Sequence, residues 1–456
     1  MPARRRLRTA LVLGGGAARG AYEAGVLSYL RGELRRELHE HVHLDILSGT
    51  SVGAINACFA AGTAAIPEQQ GTGLVEKWRS LRVEDVLRLG PTDVVRVLRD
   101  LFRRTPNPGD RRAGGLVDPV GLEDLVRKQI PWREISRNIR TGRLQALSVS
   151  ATRVSTGHTT VFIQRSARDT PPWSRDPHYR ALAARIGPFH ALASASIPLL
   201  FPAVPVGGEL YVDGGLRQNV PISPALRLGA ERVIVVSLRH RPVAAAELPP
   251  GQDLQPPPVP APAEPAHAGE KQPHAHAEVP YASGPYLLGK TLDALLLDRV
   301  DEDLNRLRRF NALLEAGTHA YGPSFEGVLN SALRPMRNTS MRYVRNLLVY
   351  PSEDLGVLAA DYCRSAEFRR RANGLVGSFL RRMVESEARD KADLASYLLF
   401  DAGFADLLID LGRRDARARR EQWLRFFSDE PECAAEAAQL EAEGRDAGQR
   451  TPGDQG

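Results

Sequence analysis

Two stretches of the chain show the same order of hydrophobic and polar positions. Residues 9–13 and 42–47 are short apolar runs, and each is followed by a glycine-containing turn and then by an apolar pattern of helical period. The helices predicted in this way cover about residues 21–39 and 52–61. Because a strand–turn–helix unit occurs twice, we predict a βαβ layout with a parallel sheet.

Further apolar runs extend this predicted sheet. Residues 144–154 and 159–164 predict two strands on either side of a turn at Gly157. Residues 232–238 are rich in β-branched side chains, which is typical of a buried parallel strand, and residues 345–350 predict one more strand. Helical periodicity predicts helices at about residues 74–89, 119–128, 353–372, 375–388, 391–400 and 402–411.

A long amphipathic helix is predicted where order returns after a proline-rich stretch, from about residue 286 onward. Leucines recur there at helical spacing, with arginines and aspartates between them. We expect the apolar face to pack on the sheet in preference to binding a membrane. The leucines of this face are Leu288, Leu292, Leu295, Leu296, Leu304, Leu307 and Leu314.

Composition divides the chain into four parts. Residues 8–240 carry the predicted α/β domain. Residues 241–285 are a linker or loop: 12 of residues 242–285 are proline, and such a segment cannot bury enough apolar surface to become ordered. Residues 286–426 are predicted to be mainly helical, with the strand near 345–350. Residues 427–456 are an acidic tail that we expect to be disordered.

The overall composition favours a soluble protein of a reducing compartment. Only three cysteines occur among 456 residues, far apart and without metal-site spacing. The formal net charge of +7 comes almost entirely from arginine, and no nucleic-acid-binding module is recognisable. His274 and His276 lack the further ligands that a metal site needs. We therefore expect a cytoplasmic protein without a metal and without a nucleic-acid partner.

The arginine-rich N-terminus allows two other interpretations. A signal peptide is disfavoured because the apolar run after Arg8 stops at three glycines, short of the ~7–15 apolar residues required. No run approaches the ~20 residues of a membrane span. The arginines could contact anionic lipid, so peripheral membrane binding stays open beside a solvated terminus. Nothing in the sequence decides the oligomeric state.

A glycine-rich loop, LGGGAARG at residues 13–20, lies between the first predicted strand and its helix. It departs from the dinucleotide fingerprint because Ala17 stands where a glycine is needed, and no G-K-[ST] follows for a phosphate loop. Backbone N–H groups of such a turn at a helix N-terminus can bind a developing oxyanion. A tight turn that serves packing alone is the alternative.

A candidate nucleophile follows the second predicted strand. Residues 49–53 read GTSVG, which is the G-x-S-x-G pattern of a serine on a sharp strand-to-helix turn. The small residues Gly49 and Gly53 let the helix pack close to that turn. Ser51 together with a separate glycine-rich loop suggests acyl transfer.

The base that would accept the Ser51 proton has two candidates. His240 lies just past residues 232–238, where catalytic loops occur in parallel sheets, and the α/β-hydrolase order is Ser, acid, His. Asp213 precedes Gly214 and Gly215, so its carboxylate is predicted on a tight, exposed turn. An ordinary Asp-Gly turn has the same pattern. The residues alone leave both candidates open.

Three motifs taken together resemble the patatin-like phospholipases of bacteria. They are GGGAARG at residues 14–20, GTSVG at residues 49–53 and DGG at residues 213–215. The resemblance is dense over residues 9–63 and 190–240 and weaker through the C-terminal half. It implies a three-layer sandwich with a mainly parallel central sheet flanked by helices, and a helical C-terminal extension.

The resemblance also implies roles for particular residues. Ser51 would be the nucleophile and Asp213 the proton acceptor, without a histidine. The N–H groups of Gly15, Gly16 and Ala17 would form the oxyanion hole, and Arg19 would stabilise the loop or the oxyanion. Ala17 departs from the family, whose members commonly have glycine there.

The substrate implied by the resemblance is a phospholipid, a lysophospholipid or a related acyl ester, with no cofactor. Two alternatives remain beside this lipid acyl hydrolase. One is an esterase with a Ser51–Asp213–His240 triad. The other is a lipid-binding regulatory protein without catalysis, which intact Ser51 and Asp213 disfavour.

Overall fold

A nine-stranded, mainly parallel sheet forms the centre of the described part of the chain. Its strand order is β5-β4-β3-β2-β1-β8-β9, with β7 on β3 and β6 on β7. The strands are β1 Thr9–Leu13, β2 Ile46–Thr50, β3 Ala146–Arg153, β4 Thr159–Arg165, β5 Tyr179–Ala183, β6 Val204–Val206, β7 Glu209–Asp213, β8 Arg232–Val236 and β9 Arg345–Val349. The computed structural model describes residues 6–38, 41–86, 120–166, 178–198, 200–241, 289–294, 300–333, 341–372, 374–386 and 392–428.

Helices pack on both faces of this sheet. The first helix, Ala21–Tyr29, continues through a π-helical turn at Leu30–Leu34 into a short helical segment, Arg35–Glu37. In the first 241 residues the helices are α1 Ala21–Tyr29, α2 Val52–Gly62, α3 Pro67–Arg79, α4 Val83–Val86, α5 Val120–Gln129, α6 Trp132–Arg140, α7 Pro188–Ala195 and α8 Ile222–Arg227. The later ones are α9 Val300–Tyr321, α10 Phe325–Leu333, α11 Leu355–Arg364, α12 Ala366–Arg371, α13 Leu375–Ser386, α14 Asp393–Leu398, α15 Ala402–Ala418 and α16 Arg420–Phe426.

Alternation along the strands divides the core into two layers. Leu11 and Leu13 of β1 point into a large apolar cluster with α1, α2, α3 and α15, whereas Ala10 and Val12 point into a second cluster with α8 and α9. The second cluster includes Leu304, as the leucine spacing predicted. The predicted three-layer arrangement of helices, sheet and helices is therefore confirmed.

The C-terminal region is built into the same core. β9 adds to the sheet in parallel beside β8, with Leu347 opposite Ile234. α15 packs on α1 so closely that a Cβ on Gly25 would lie 2.1 Å from the carbonyl oxygen of Ile409. The central sheet thus continues across the boundary that composition predicted near residue 240.

Several predicted elements differ in their bounds. β2 begins at Ile46, four residues later than predicted, and runs to Thr50. The helix predicted at 353–372 is two helices, because Ser365 adopts an extended backbone and its hydroxyl accepts a hydrogen bond from the Phe368 N–H as an N-cap. Residues 87–119, residues 242–285 of the predicted linker and residues 429–456 of the predicted acidic tail lie outside the described residues.

Candidate active site

Strand β3 brings the two candidate catalytic residues together. Ser150 of β3 pairs with Thr50, the last residue of β2. The next residue, Ala151, pairs with Asp213, the last residue of β7. Along β3, the pairing with β2 therefore ends at Ser150 and the pairing with β7 begins at Ala151. Ser51, which follows Thr50, lies beside Asp213 for this reason.

The turn at Ser51 has a strained backbone. Ser51 has φ 55° and ψ −129°, a region that non-glycine residues rarely occupy, and strain of this kind costs about 1–3 kcal/mol. α2 follows at once and lies against β1, since a Cβ on Gly53 would come within 2.5 Å of the Leu13 carbonyl oxygen. Gly49 and Gly214 are likewise packed against backbone atoms. The geometry is that of a nucleophile elbow.

A direct hydrogen bond joins the two side chains. Ser51 Oγ donates to Asp213 Oδ2 over 2.5 Å, the length expected when an ionised carboxylate accepts from a hydroxyl. Asp213 Oδ1 accepts from the Gly215 N–H at 2.7 Å, which fixes the plane of the carboxylate. Ser51 and Asp213 are 1% and 0% exposed. Both side chains of the pair are thus buried.

Burial changes the acidity of this carboxyl group. It raises the pKa of Asp213 from 3.8 to about 7, although the hydrogen bonds from Ser51 and Gly215 act in the opposite direction. A carboxylate in water is too weak a base to activate a serine hydroxyl. A pKa near neutrality makes Asp213 a stronger proton acceptor.

The glycine-rich loop is held by a residue that the sequence did not single out. The Gly15 N–H donates to Asn219 Oδ1 at 2.8 Å, and Asn219 Nδ2 donates back to the Gly15 carbonyl at 3.2 Å. The Gly15 N–H, which was predicted to bind the oxyanion, is therefore already hydrogen-bonded to Asn219. Gly16 and Ala17 stand at the start of the 3₁₀ turn Ala17–Gly20, whose first N–H groups have no acceptor within the turn.

Ala17, which stands where patatin-like proteins commonly have glycine, adopts a backbone conformation that favours glycine. Its φ of 50° lies in the left-handed region, where a methyl group is disfavoured. The loop keeps this conformation because α1 and the Asn219 contacts fix both of its ends.

Arg19 points away from Ser51 into the C-terminal region. Its Nε donates to Ser396 Oγ at 2.7 Å, one terminal nitrogen donates to Asp293 Oδ1 at 3.1 Å, and the other lies 3.7 Å from Asp393 Oδ1. The guanidinium also stacks 4.0 Å from the Tyr397 ring centre. Of the two predicted roles for Arg19, this geometry supports stabilisation of the loop and not direct contact with an oxyanion.

Ser194 supports the nucleophile turn from α7. Its Oγ accepts from the Ser51 N–H at 2.9 Å and donates to the Ser150 carbonyl at 2.6 Å. Its surroundings in the sequence, ASASIP, contain small residues without a chemical pattern. Only its position in the fold gives Ser194 this function.

His240 has a different neighbour. Its Nδ1 lies 3.1 Å from the carbonyl oxygen of Pro351, beyond the end of β8. Since Ser51 donates directly to Asp213, no imidazole stands between them. Among the described residues, no group of three His, Cys, Asp or Glu side chains could hold a metal ion, and no helix is long and apolar enough to cross a membrane.

A buried acid, Glu23, lies behind the glycine-rich loop on α1. Its Oε2 accepts from Asn56 Nδ2 at 2.8 Å. Burial raises the pKa of Glu23 well above 4.5, although hydrogen bonds from Asn56 and the Gly14 N–H lower it. A carboxyl group whose folded-state pKa is raised contributes stability below its unfolded pKa and loses it as pH rises.

We therefore expect Glu23→Gln to be tolerated at neutral pH. The difference in unfolding free energy between this variant and the wild type should shift in favour of the variant as pH rises from about 5 to about 8. Only the wild type must take up a proton on folding, because Glu23 is ionised in the unfolded chain and protonated when buried. Urea unfolding at several pH values measures it. Glu23→Ala, which leaves a cavity, should destabilise throughout. A pH-independent difference for Glu23→Gln would contradict a raised pKa.

Comparisons with known proteins agree with the motifs. Residues 11–226 match the family model described as Patatin-like phospholipase. A curated relative, the probable lipid hydrolase 463L of Invertebrate iridescent virus 6, is 25% identical over 225 residues. That match covers 48% of this chain and 63% of the viral protein.

One solved structure aligns with the chain at low similarity. The crystal structure of VipD from Legionella pneumophila covers 88% of this chain and 92% of its own, at 12% identity and a TM-score of 0.28. A TM-score this low does not establish a shared fold.

The family match includes both the Ser51 turn and Asp213. Residues 11–226 therefore form a patatin-like phospholipase domain.

Proposed function

We propose that this protein is a serine hydrolase of lipid acyl esters that uses a Ser51–Asp213 dyad. The observation that carries the proposal is the 2.5 Å hydrogen bond from Ser51 Oγ to a buried carboxylate, made on a strained strand-to-helix turn. A strained turn that aims a serine at a base of raised pKa has a clear use in nucleophilic catalysis. The match of residues 11–226 to the patatin-like phospholipase family model supports the same chemistry.

The acylation step follows from the geometry. Ser51 Oγ attacks the ester carbonyl carbon while its proton moves to Asp213 Oδ2, and the carbonyl electron pair moves onto oxygen. The N–H groups of Gly16 and Ala17, with the dipole of the helix behind them, would stabilise that oxyanion. Collapse of the intermediate expels the alcohol oxygen, which takes the proton from Asp213. The acyl group remains on Ser51.

Deacylation reverses these roles with water. Asp213 removes a proton from a water molecule as its oxygen attacks the acyl carbon. The second oxyanion collapses, Ser51 Oγ leaves and recovers the proton, and a carboxylic acid is released. Two easier steps thus replace one difficult hydrolysis.

The substrate that fits the family is a carboxylic ester of a glycerophospholipid or lysophospholipid. The viral relative is described as a probable lipid hydrolase, which agrees with this class. The dyad mechanism requires no metal ion or organic cofactor. We also propose that the protein acts in the cytoplasm, at or near a membrane surface where such lipids are found.

The pKa of Asp213 predicts how activity depends on pH. Asp213 must be ionised to accept the serine proton, and it is protonated below a pH of about 7. We expect kcat/KM for a neutral ester to fall about tenfold per pH unit on the acid side and to level off above about pH 8. Initial rates across this range, with circular dichroism to confirm folding, measure it. An apparent pKa near 4 would contradict the raised value.

Hydrolysis by wild-type protein and Ser51→Ala tests the proposed activity. The assay uses a short-chain p-nitrophenyl ester and mixed micelles of a phosphatidylcholine with detergent. Fatty acid release by the wild type and its loss in Ser51→Ala support the proposal. If the folded wild type hydrolyses neither substrate, the proposed activity is wrong and the non-catalytic lipid-binding alternative gains.

A further inference from the structure

An apolar cavity of about 50 Å³ lies against the helix that begins directly after Ser51. We call it the α2 cavity. Side chains at positions i, i+3 and i+7 of α2 share one of its walls, and α3, α5 and the segment before α15 supply the others. Its main lining residues are Val52, Ile55, Phe59, Trp78, Leu125 and Phe400.

The polar atoms of Asn56 and Trp78 on the cavity wall are hydrogen-bonded. Asn56 Nδ2 donates to the Gly20 carbonyl at 3.1 Å as well as to Glu23, and Trp78 Nε1 donates to Asn56 Oδ1 at 3.2 Å. The wall therefore presents carbon to the space inside. An apolar cavity of this kind stays dry and favours an apolar ligand. Trp78 and Phe400, stacked with ring planes 7° apart, form one side of it.

The cavity begins where the two parts of the candidate active site meet. Val52 follows Ser51 in the chain and lines the cavity. A Cβ on Gly20, at the end of the glycine-rich loop, would lie 2.5 Å from Val52 Cγ2 and 3.1 Å from Trp78 Cζ2. The loop end, Val52 and Trp78 are thus in van der Waals contact. An acyl carbonyl held between Ser51 and the loop has this apolar space next to it.

We propose that the α2 cavity receives the hydrocarbon chain of the acyl group that is transferred to Ser51. This inference rests on the proposed acyl hydrolase function and adds to it a specificity site. A single water needs about 10–15 Å³ of such space, so the cavity holds only a short segment of chain unless its walls move. We expect kcat/KM to rise with chain length only until this segment fills the cavity.

A series of p-nitrophenyl esters from acetyl to dodecanoyl tests the inference. Wild-type kcat/KM should rise about fourfold per methylene, the value of burying one CH₂, until the cavity is full. Leu125→Trp fills the cavity from α5, and the ratio of decanoyl to acetyl kcat/KM should fall about tenfold or more. Leu226→Trp is the matched control, because it enlarges a half-buried leucine beside a separate cavity of about 200 Å³ between α8 and α9. Its ratio should equal that of the wild type.

A binding measurement makes the test independent of turnover. In Ser51→Ala, a fatty acid brominated at its methyl end should quench the fluorescence of Trp78. The same fatty acid should have little effect when Trp78→Phe is added, although other tryptophans remain. Dodecanoate without bromine controls for indirect changes in fluorescence.

The outcomes separate this inference from the function on which it rests. A lower chain-length ratio in Leu125→Trp alone, with bromine quenching of Trp78, supports the cavity as the acyl site. Equal ratios in Leu125→Trp and Leu226→Trp, without quenching, overturn it even if the wild type hydrolyses the acetyl ester. If the wild type hydrolyses no ester, the proposed function fails, and quenching alone then decides whether the cavity binds an acyl chain.

Discussion

Asp213→Asn is expected to lower kcat for ester hydrolysis by about 10⁴-fold or more, as is Ser51→Ala. The asparagine keeps the shape of the side chain and can still accept from the Gly215 N–H, but it cannot accept the serine proton. Nucleophile and base act as one unit, so the double variant should be no slower than either single variant. Steady-state rates on a short-chain ester give all three values.

His240→Ala is the control for this prediction. Its Nδ1 contacts the Pro351 carbonyl and not the dyad, so we expect its kcat to stay within about threefold of the wild type. A loss as large as that of Asp213→Asn, in protein that is still folded, would favour a Ser51–Asp213–His240 triad.

Asp393→Ala is expected to disturb the active site from a distance. Arg19 is buried, and Tyr397, Asp293 and Asp393 together raise its pKa although burial lowers it. Removing one partner of a buried ion pair costs about 3–5 kcal/mol, and Asp293 retains part of that interaction, so we expect a loss of about 3 kcal/mol. Because Arg19 belongs to the glycine-rich loop, kcat should also fall about tenfold or more through misplaced oxyanion donors.

Asp401→Ala separates positioning of the loop from a general loss of stability. Asp401 is as deeply buried as Asp393, and it accepts hydrogen bonds from Tyr362 and the Gly403 N–H instead of pairing with Arg19. We expect a similar loss of unfolding free energy by urea titration, with kcat of the folded protein unchanged. Equal effects of the two substitutions on kcat would contradict a specific link between Asp393 and the loop.

Local patterns predicted the parts of the fold that depend on neighbouring residues. The short apolar runs predicted β1, β4, β8 and β9 to within about three residues, because the hydrophobic pattern of a buried strand is local in the sequence. β5, β6 and α6 were not predicted. β5 is only partly buried and β6 is three residues long, so neither has a strong hydrophobic pattern.

In the candidate site, too, local motifs predicted some residues, whereas contacts between distant residues could not be predicted. Ser51 and Asp213 were proposed from short motifs, and the structure places them in hydrogen-bonding contact. The attachments of Arg19 and Gly15 could not be predicted, because their partners Ser396 and Asn219 lie 377 and 204 residues away along the chain. Only the folded chain determines such contacts. They also show that residues outside 11–226 take part in holding the site.

The central claim is that Ser51 is activated by Asp213 without a histidine. Intact-protein mass spectrometry after reaction with a fluorophosphonate tests it most directly, because the reagent modifies an activated serine without requiring the correct lipid. We predict a single adduct at Ser51 in the wild type and in His240→Ala, and none in Ser51→Ala or Asp213→Asn. Loss of the adduct in His240→Ala, or labelling of Asp213→Asn at the wild-type rate, would contradict the account.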